Sequence, residues 1–170
     1  MSKIFLIGFM GSGKTSAGKR LAELLSFEFI DLDELIEKNE GKTISQIFQE
    51  EGEESFRKKE FAYLHSLSAK KKTVIAAGGG TPCFHSNMQW MMANGTTVYL
   101  KTDPEILFRR LKSEMTHRPL LKHNSEEELK NFISSKLRER ESFYLSSKLI
   151  VDTGAQNADE LAQHIFTLLA

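Results

Sequence analysis

The sequence predicts an α/β fold built on a parallel sheet, and three observations carry that expectation. Short apolar runs at 4–7, 27–30, 73–77, 96–100 and 149–151 read as strands. They alternate with segments of helical apolar spacing at about 14–26, 33–39, 44–50, 53–70, 84–93, 104–113, 126–144 and 157–169. The first strand also feeds Gly8-Phe9-Met10-Gly11-Ser12-Gly13-Lys14-Thr15, a glycine-rich loop of a kind that sits between a strand and a helix. Strands separated by helices pair in parallel, because each crossover returns the chain to the same end of the sheet.

That loop completes the pattern G-x-x-x-x-G-K-[ST], and its context fits. Ile4 to Ile7 precede it, and Ala17, Leu21, Leu24 and Leu25 recur at helical spacing after it. Backbone N–H groups of such a loop and the helix N-terminus form an anion site together. Gly8, Gly11 and Gly13 let the backbone close around a β-phosphate, and Lys14 brings a point charge to the β/γ-phosphates. The Thr15 hydroxyl is a ligand type for Mg²⁺. A plain glycine turn beside a surface lysine is the alternative, and it leaves the flanking pattern unexplained. The chain is expected to bind a nucleoside triphosphate.

The second strand ends in Ile30-Asp31-Leu32-Asp33. In extended backbone the two carboxylates share a face at the strand's carboxyl end, where α/β sheets bind ligands. One carboxylate there holds a metal and the other accepts a proton from an attacking hydroxyl. The alternative is a strand end with Asp33 opening the next helix. On the helix from about 53, Phe56, Tyr63 and Leu67 form an apolar face that includes Glu60, with Arg57 on its shoulder and in pairing range of Glu60. Ser45 and Ser55 stand in loose capping contexts for this region.

The third strand runs into Gly78-Gly79-Gly80, which allows either close ligand approach or a flexible turn. Lys70-Lys71-Lys72 reads as a solvated helix end. Asp103-Pro104 is an N-cap followed by proline at the first helical position. Residues 112–125 lack periodicity and carry Arg118-Pro119, which suits a mobile lid closing over a nucleotide. On the last long helix Arg140 falls within the stripe of Leu129, Ile133, Leu137 and Tyr144. A charge there either pairs with an internal carboxylate or faces a cavity that receives an anion, with Arg57 a second claw for a planar carboxylate.

Composition narrows the class. At 170 residues the chain fits one domain, with 40% hydrophobic and 27% charged residues and zero formal net charge. No global field recruits nucleic acid or an anionic membrane. The lone Cys83 excludes an internal disulfide and fits a reducing compartment. The first strand begins almost at once, which leaves no signal or transit peptide, so cytoplasm is the expected location.

In order along the chain, the Gly8–Thr15 loop, Asp31-Leu32-Asp33, Phe56-Arg57-x-x-Glu60, the triple glycine, Arg118-Pro119-Leu120-Leu121 and the Arg140 helix resemble the shikimate kinases, small P-loop kinases of the nucleoside-monophosphate-kinase type. The resemblance covers about residues 3–153. It implies a three-layer α/β/α P-loop kinase fold, one domain over 1–170, with a five-stranded parallel sheet in the order 2-3-1-4-5 and a lid near 112–125. It implies transfer of the γ-phosphoryl of ATP to the 3-hydroxyl of shikimate, with Mg²⁺ as cofactor. Asp33 would hold the reacting hydroxyl. Arg57 and Arg140 would clasp the shikimate carboxylate, with Glu60 orienting Arg57 and with Gly79 and Gly80 against the ring. Gly11, Ser12, Gly13, Lys14, Thr15, Ser16 and Arg110 would contact ATP, and Arg118 would neutralise the transferring phosphoryl. Thr15 and Asp31 would hold Mg²⁺. The expected partners are ATP and shikimate alone, in a monomer without nucleic acid or membrane.

Three positions depart from the family's common pattern. Thr15-Ser16 replaces the more usual Ser-Thr but keeps the metal-binding hydroxyl. Gly154-Ala155-Gln156 lacks the arginine that some members place near adenine, and the Arg110-to-Arg118 spacing differs from some members. Rival expectations are a kinase of another small metabolite, such as gluconate, and a nucleotide-binding module without turnover.

Overall fold

β1 (Lys3–Ile7) occupies the centre of a five-stranded parallel sheet ordered β2-β3-β1-β4-β5, with β2 Glu28–Asp31, β3 Thr73–Ala76, β4 Thr96–Lys101 and β5 Leu149–Asp152. This is the expected order. The computed structural model describes residues 3–114 and 125–170. Its helices are α1 (Lys14–Leu25), α2 (Leu32–Glu40), α3 (Ile44–Ser66), α4 (Asn87–Asn94), α5 (Pro104–Glu114), α6 (Glu126–Leu145) and α7 (Ala158–Leu169).

The continuous apolar runs follow from burial of both sheet faces. Alternate residues of β1 serve different cores. Ile4 and Leu6 pack with Leu21 of α1 and with Leu161 and Ile165 of α7. Phe5 and Ile7 pack on the other face with Ile36 of α2, Phe56 and Leu64 of α3, and Met91 of α4. A third cluster joins Phe9 to Leu107 and Leu111 of α5 and to Leu129 and Ile133 of α6. Among the described residues no helix is long and apolar enough to cross a membrane.

Register delivers the site. Leu6 pairs with Ala76 and Asp31 also aligns with Ala76, so the loop after β1, the end of β2 and the glycine run after β3 emerge at one edge.

Several local expectations need correction. Asp31, rather than Asp33, caps α2: its Oδ1 accepts from the N–H groups of Asp33 at 3.0 Å and Glu34 at 3.3 Å. Residue 33 is already helical, so the shared-face argument for an extended strand does not apply, and the capping turn instead sets its direction. The segments expected at 44–50 and 53–70 are one helix broken at Gly52, whose φ of 82° lies in the left-handed region. Thr43 caps that helix in a reciprocal box with Gln46, so neither Ser45 nor Ser55 does. Its end tightens into a 3₁₀ turn over Leu67–Ala69. The helix expected from 84 starts at Asn87, after a 3₁₀ turn over Thr81–Cys83 and two left-handed residues, His85 and Ser86. Lys112 to Glu114 belong to α5, and the rest of the expected lid up to 124, Arg118 included, lies outside the described residues.

Candidate active site

A cleft of about 1030 Å³ opens at the carboxyl edge of the sheet. Gly11 to Ser16, Asp31, Asp33, Arg110, Ser113 and Gln156 are among the residues that line it. Gly13 is the hinge between loop and helix: it precedes α1 with φ 95°, a conformation that costs a residue with a Cβ. Lys14 Nζ donates to the carbonyls of Gly8 and Phe9, both at 2.8 Å, and so is held across the loop it belongs to. Ser12 is buried and its Oγ has no partner among the described residues, a hydroxyl suited to a phosphate oxygen. Arg110 reaches the same loop, donating from Nη1 to the Gly11 carbonyl at 3.0 Å.

Thr15 and Asp31 meet as their types suggest. Thr15 Oγ1 donates to Asp31 Oδ2 at 2.7 Å, while Asp31 Oδ1 caps α2. A hydroxyl and a carboxylate beside a phosphate loop are hard oxygen donors that suit Mg²⁺, which keeps several waters and takes few protein ligands. Asp33 stands next to them. Burial pushes its carboxyl up to about 6, the charges of Asp31 and Glu60 push the same way, and Lys14 opposes them.

Beyond Asp33 the triple glycine gathers a second group of charged side chains. A Cβ on Gly78 would stand 2.9 Å from Asp33 Oδ1 and 3.1 Å from Glu60 Oε1, so both carboxylates flank that backbone. On Gly79 it would meet Arg140 Nη1 at 3.2 Å, and on Gly80 Arg57 Nη2 at 2.6 Å. The glycines therefore admit charged side chains of this chain close against the main chain. Arg57 and Glu60 form a buried ion pair at 2.9 Å, and Glu53 adds a contact at 3.3 Å. Arg140 makes no ion pair with any described carboxylate; its guanidinium lies over the Phe9 ring at 5.7 Å. Of its two expected arrangements, internal pairing is not the one found.

The structure thus brings the expected residues into two adjoining groups that meet at Asp33 and Gly78, with Arg118 outside the described residues. Sequence reasoning missed several neighbours. Tyr144, fully buried, donates to the Gly79 carbonyl at 2.6 Å. Thr81 donates to Glu60 Oε1 at 2.6 Å, and Phe84 faces Arg57. Gln156 presents a buried amide oxygen without a partner at the cleft wall. Tyr144 was visible only as one more apolar stripe member, and the other three carry no local pattern.

A family model described as "Shikimate kinase" matches residues 10–170. A shikimate kinase of Phocaeicola vulgatus is 46% identical over 161 residues, 95% of this chain and 89% of that protein. The chain belongs to the shikimate kinase family. Membership makes it an ATP-dependent kinase, a nucleotide-binding transferase. The match extends past residue 153 to the C-terminus, so α7 is part of what this member shares with the family. Among solved structures, the Bacteroides thetaiotaomicron shikimate kinase superposes with a TM-score of 0.93 at 39% identity, covering 98% of this chain and 97% of that one. An Acinetobacter baumannii shikimate kinase in complex with shikimate gives 0.92 at 36% identity, covering 99% and 93%.

Proposed function

We propose that this family member transfers the γ-phosphoryl of ATP to the 3-hydroxyl of shikimate, and that the two adjoining groups of residues divide the substrates. The observation that carries this reading is the position of Asp33, in the cleft beside the phosphate loop and against Gly78 of the glycine run that Arg57 and Arg140 adjoin. ATP occupies the cleft, its β/γ-phosphates against Gly11 to Thr15 and Lys14. Ser16 and Arg110 adjoin them, and the Gln156 amide oxygen suits the exocyclic amine of adenine. Shikimate lies along Gly79 and Gly80 with its carboxylate between Arg140 and Arg57.

The 3-hydroxyl oxygen then forms a bond to the γ-phosphorus as the bond to the β–γ bridging oxygen breaks. The hydroxyl proton passes to Asp33, a carboxylate poised near neutrality by its surroundings. Arg118 is assigned to the transferring phosphoryl on the resemblance alone. Thr15 and Asp31 are the residues that would hold Mg²⁺, which when bound neutralises phosphate charge. Catalysis rests on positioning and charge stabilisation.

A coupled ADP-release assay with shikimate, gluconate, a nucleoside monophosphate and no acceptor tests the assignment. ADP release is expected to need both shikimate and Mg²⁺, with little turnover on the others. Equal turnover on a nucleoside monophosphate would place the acceptor elsewhere in the fold class. The metal assignment has its own test. Asp31→Asn keeps an oxygen to cap α2 but loses the charge, so it is expected to shift the Mg²⁺ dependence to higher concentration. The same titration on Asp33→Asn should leave the metal requirement in place, and matching Mg²⁺ profiles for the two variants would reverse the division of labour.

A further inference from the structure

We infer that Thr81 and Phe84, both in the short turn after the glycine run, are positioning residues for Arg57 and thereby for the carboxylate end of the acceptor. The inference rests on the proposed role of Arg57.

Glu60 has two oxygens, one bonded within α3 and the other to the turn after the glycine run. Oε2 accepts from Arg57 Nη1 at 2.9 Å, and Oε1 accepts from the Thr81 hydroxyl at 2.6 Å. The Thr81 bond holds the carboxylate at the rotation in which only Oε2 meets the guanidinium at Nη1, while Arg57 Nε and Nη2 face Glu53 Oε1 at 3.4 and 3.3 Å. Phe84 controls the plane. Its ring centroid lies 4.2 Å from Arg57 Cζ, nearer than Phe56 at 5.1 Å or Phe48 at 5.9 Å. A ring face against a guanidinium stabilises it and blocks rotation out of the plane. The Gly80 backbone closes a further side, since a Cβ there would stand 2.6 Å from Nη2.

The turn is itself held. Thr81 N donates to Gly78 O at 3.1 Å, Cys83 N to Gly80 O at 2.9 Å, and Asn87 N to Phe84 O at 3.0 Å. The buried Asn87 reaches back from α4, its Nδ2 donating to Thr81 O at 3.1 Å. The glycine backbone and the guanidinium are therefore fixed by one segment.

The test compares steady-state kinetics of Thr81→Val, Thr81→Ser, Phe84→Leu and Phe84→Tyr, alone and with Arg57→Leu. Thr81→Val keeps volume and removes the donor. Thr81→Val and Phe84→Leu are each expected to raise KM for shikimate about 5–10-fold, on the scale of one hydrogen bond to a charge or one cation–ring contact. KM for ATP should stay as it is. Thr81→Ser and Phe84→Tyr should restore the wild-type value. In the Arg57→Leu background neither substitution should raise KM further, because the group it positions is gone. Unchanged KM in the single variants, with or without a lower melting temperature, would overturn the inference. So would effects that multiply with that of Arg57→Leu. Phe84 is only half-buried, so its variants decide the matter if Thr81→Val does not fold. If Arg57→Leu alone leaves KM for shikimate unchanged, the role of Arg57 falls first. That outcome differs from one in which Arg57→Leu is impaired and the turn variants are not.

Discussion

Asp33→Asn is expected to lower kcat by about 10²–10⁴-fold, the scale of losing a positioned general base, and at the same time to make the folded protein more stable at neutral pH. Both effects have one origin. Asp33 sits where burial and the neighbouring carboxylates of Asp31 and Glu60 raise its pKa from 3.8 to about 6. A carboxyl whose pKa is raised on folding binds more protons in the native than in the unfolded chain between those values. Stability therefore falls as pH rises from about 4 to about 6, and above that the full cost of the ionised group is present. An amide carries no charge and escapes that cost. Because the group keeps some contact with water, the gain at pH 7 should be about 1–2 kcal/mol, less than the whole shift would imply. Thermal melts of wild type and variant across pH 4–8 check this: the difference should be largest at the neutral end and vanish near pH 4. The same group predicts an acid limb near pH 6 in kcat/KM for shikimate. Lower stability of the variant at pH 7 would mean that Asp33 holds the structure together rather than serving the reaction.

Arg140→Leu is expected to raise KM for shikimate at least about 30-fold, the effect of losing a charge-assisted partner worth about 2–5 kcal/mol, without lowering the melting temperature. No described carboxylate pairs with Arg140, so its removal strands no buried negative charge. Leucine continues the stripe formed by Leu129, Ile133 and Tyr144 and adds apolar surface beside Phe9. Arg57 differs, because Glu60 and Glu53 already neutralise it in the free protein. Of the two arginines, Arg140 thus holds the less compensated charge for an incoming carboxylate. Affinity for ATP should change little, since Arg140 does not line the phosphate cleft. A fall in stability of about 3–5 kcal/mol, with normal shikimate binding by the folded fraction, would make Arg140 a structural residue.

Determination by sequence was most complete where the chemistry is local. The phosphate loop needs consecutive backbone groups, a lysine and a hydroxyl within eight positions, so strand, loop and helix are legible in one stretch of chain. The strands were legible because a sheet covered on both faces demands unbroken apolar runs, as Ile4 to Ile7 show with no exposure at all. The Asp103-Pro104 cap likewise holds, with Asp103 Oδ1 accepting from Glu105 N at 2.8 Å.

The rest required tertiary structure, for physical reasons that can be named. Asp31 and Asp33 were expected side by side on a strand, yet the strand ends at Asp31 and a capping bond turns Asp33 into the cleft. Spacing could not choose between the two accounts of Arg140, because helical phase gives a direction and not what lies there. Only the packing of α6 over Phe9 and Gly79 shows that no described carboxylate pairs with it. Thr81, Phe84, Tyr144 and Gln156 are ordinary residues in the sequence. Their partners Glu60, Arg57 and Gly79 are supplied by other elements, so their contacts exist only once the sheet register brings β3 beside β1. The unpaired oxygen of Gln156 likewise becomes visible only when its burial is known. Sequence thus specified the glycine-rich loop with Lys14 and Thr15, and folding decided which side chains stand against Glu60, Arg57 and Gly79.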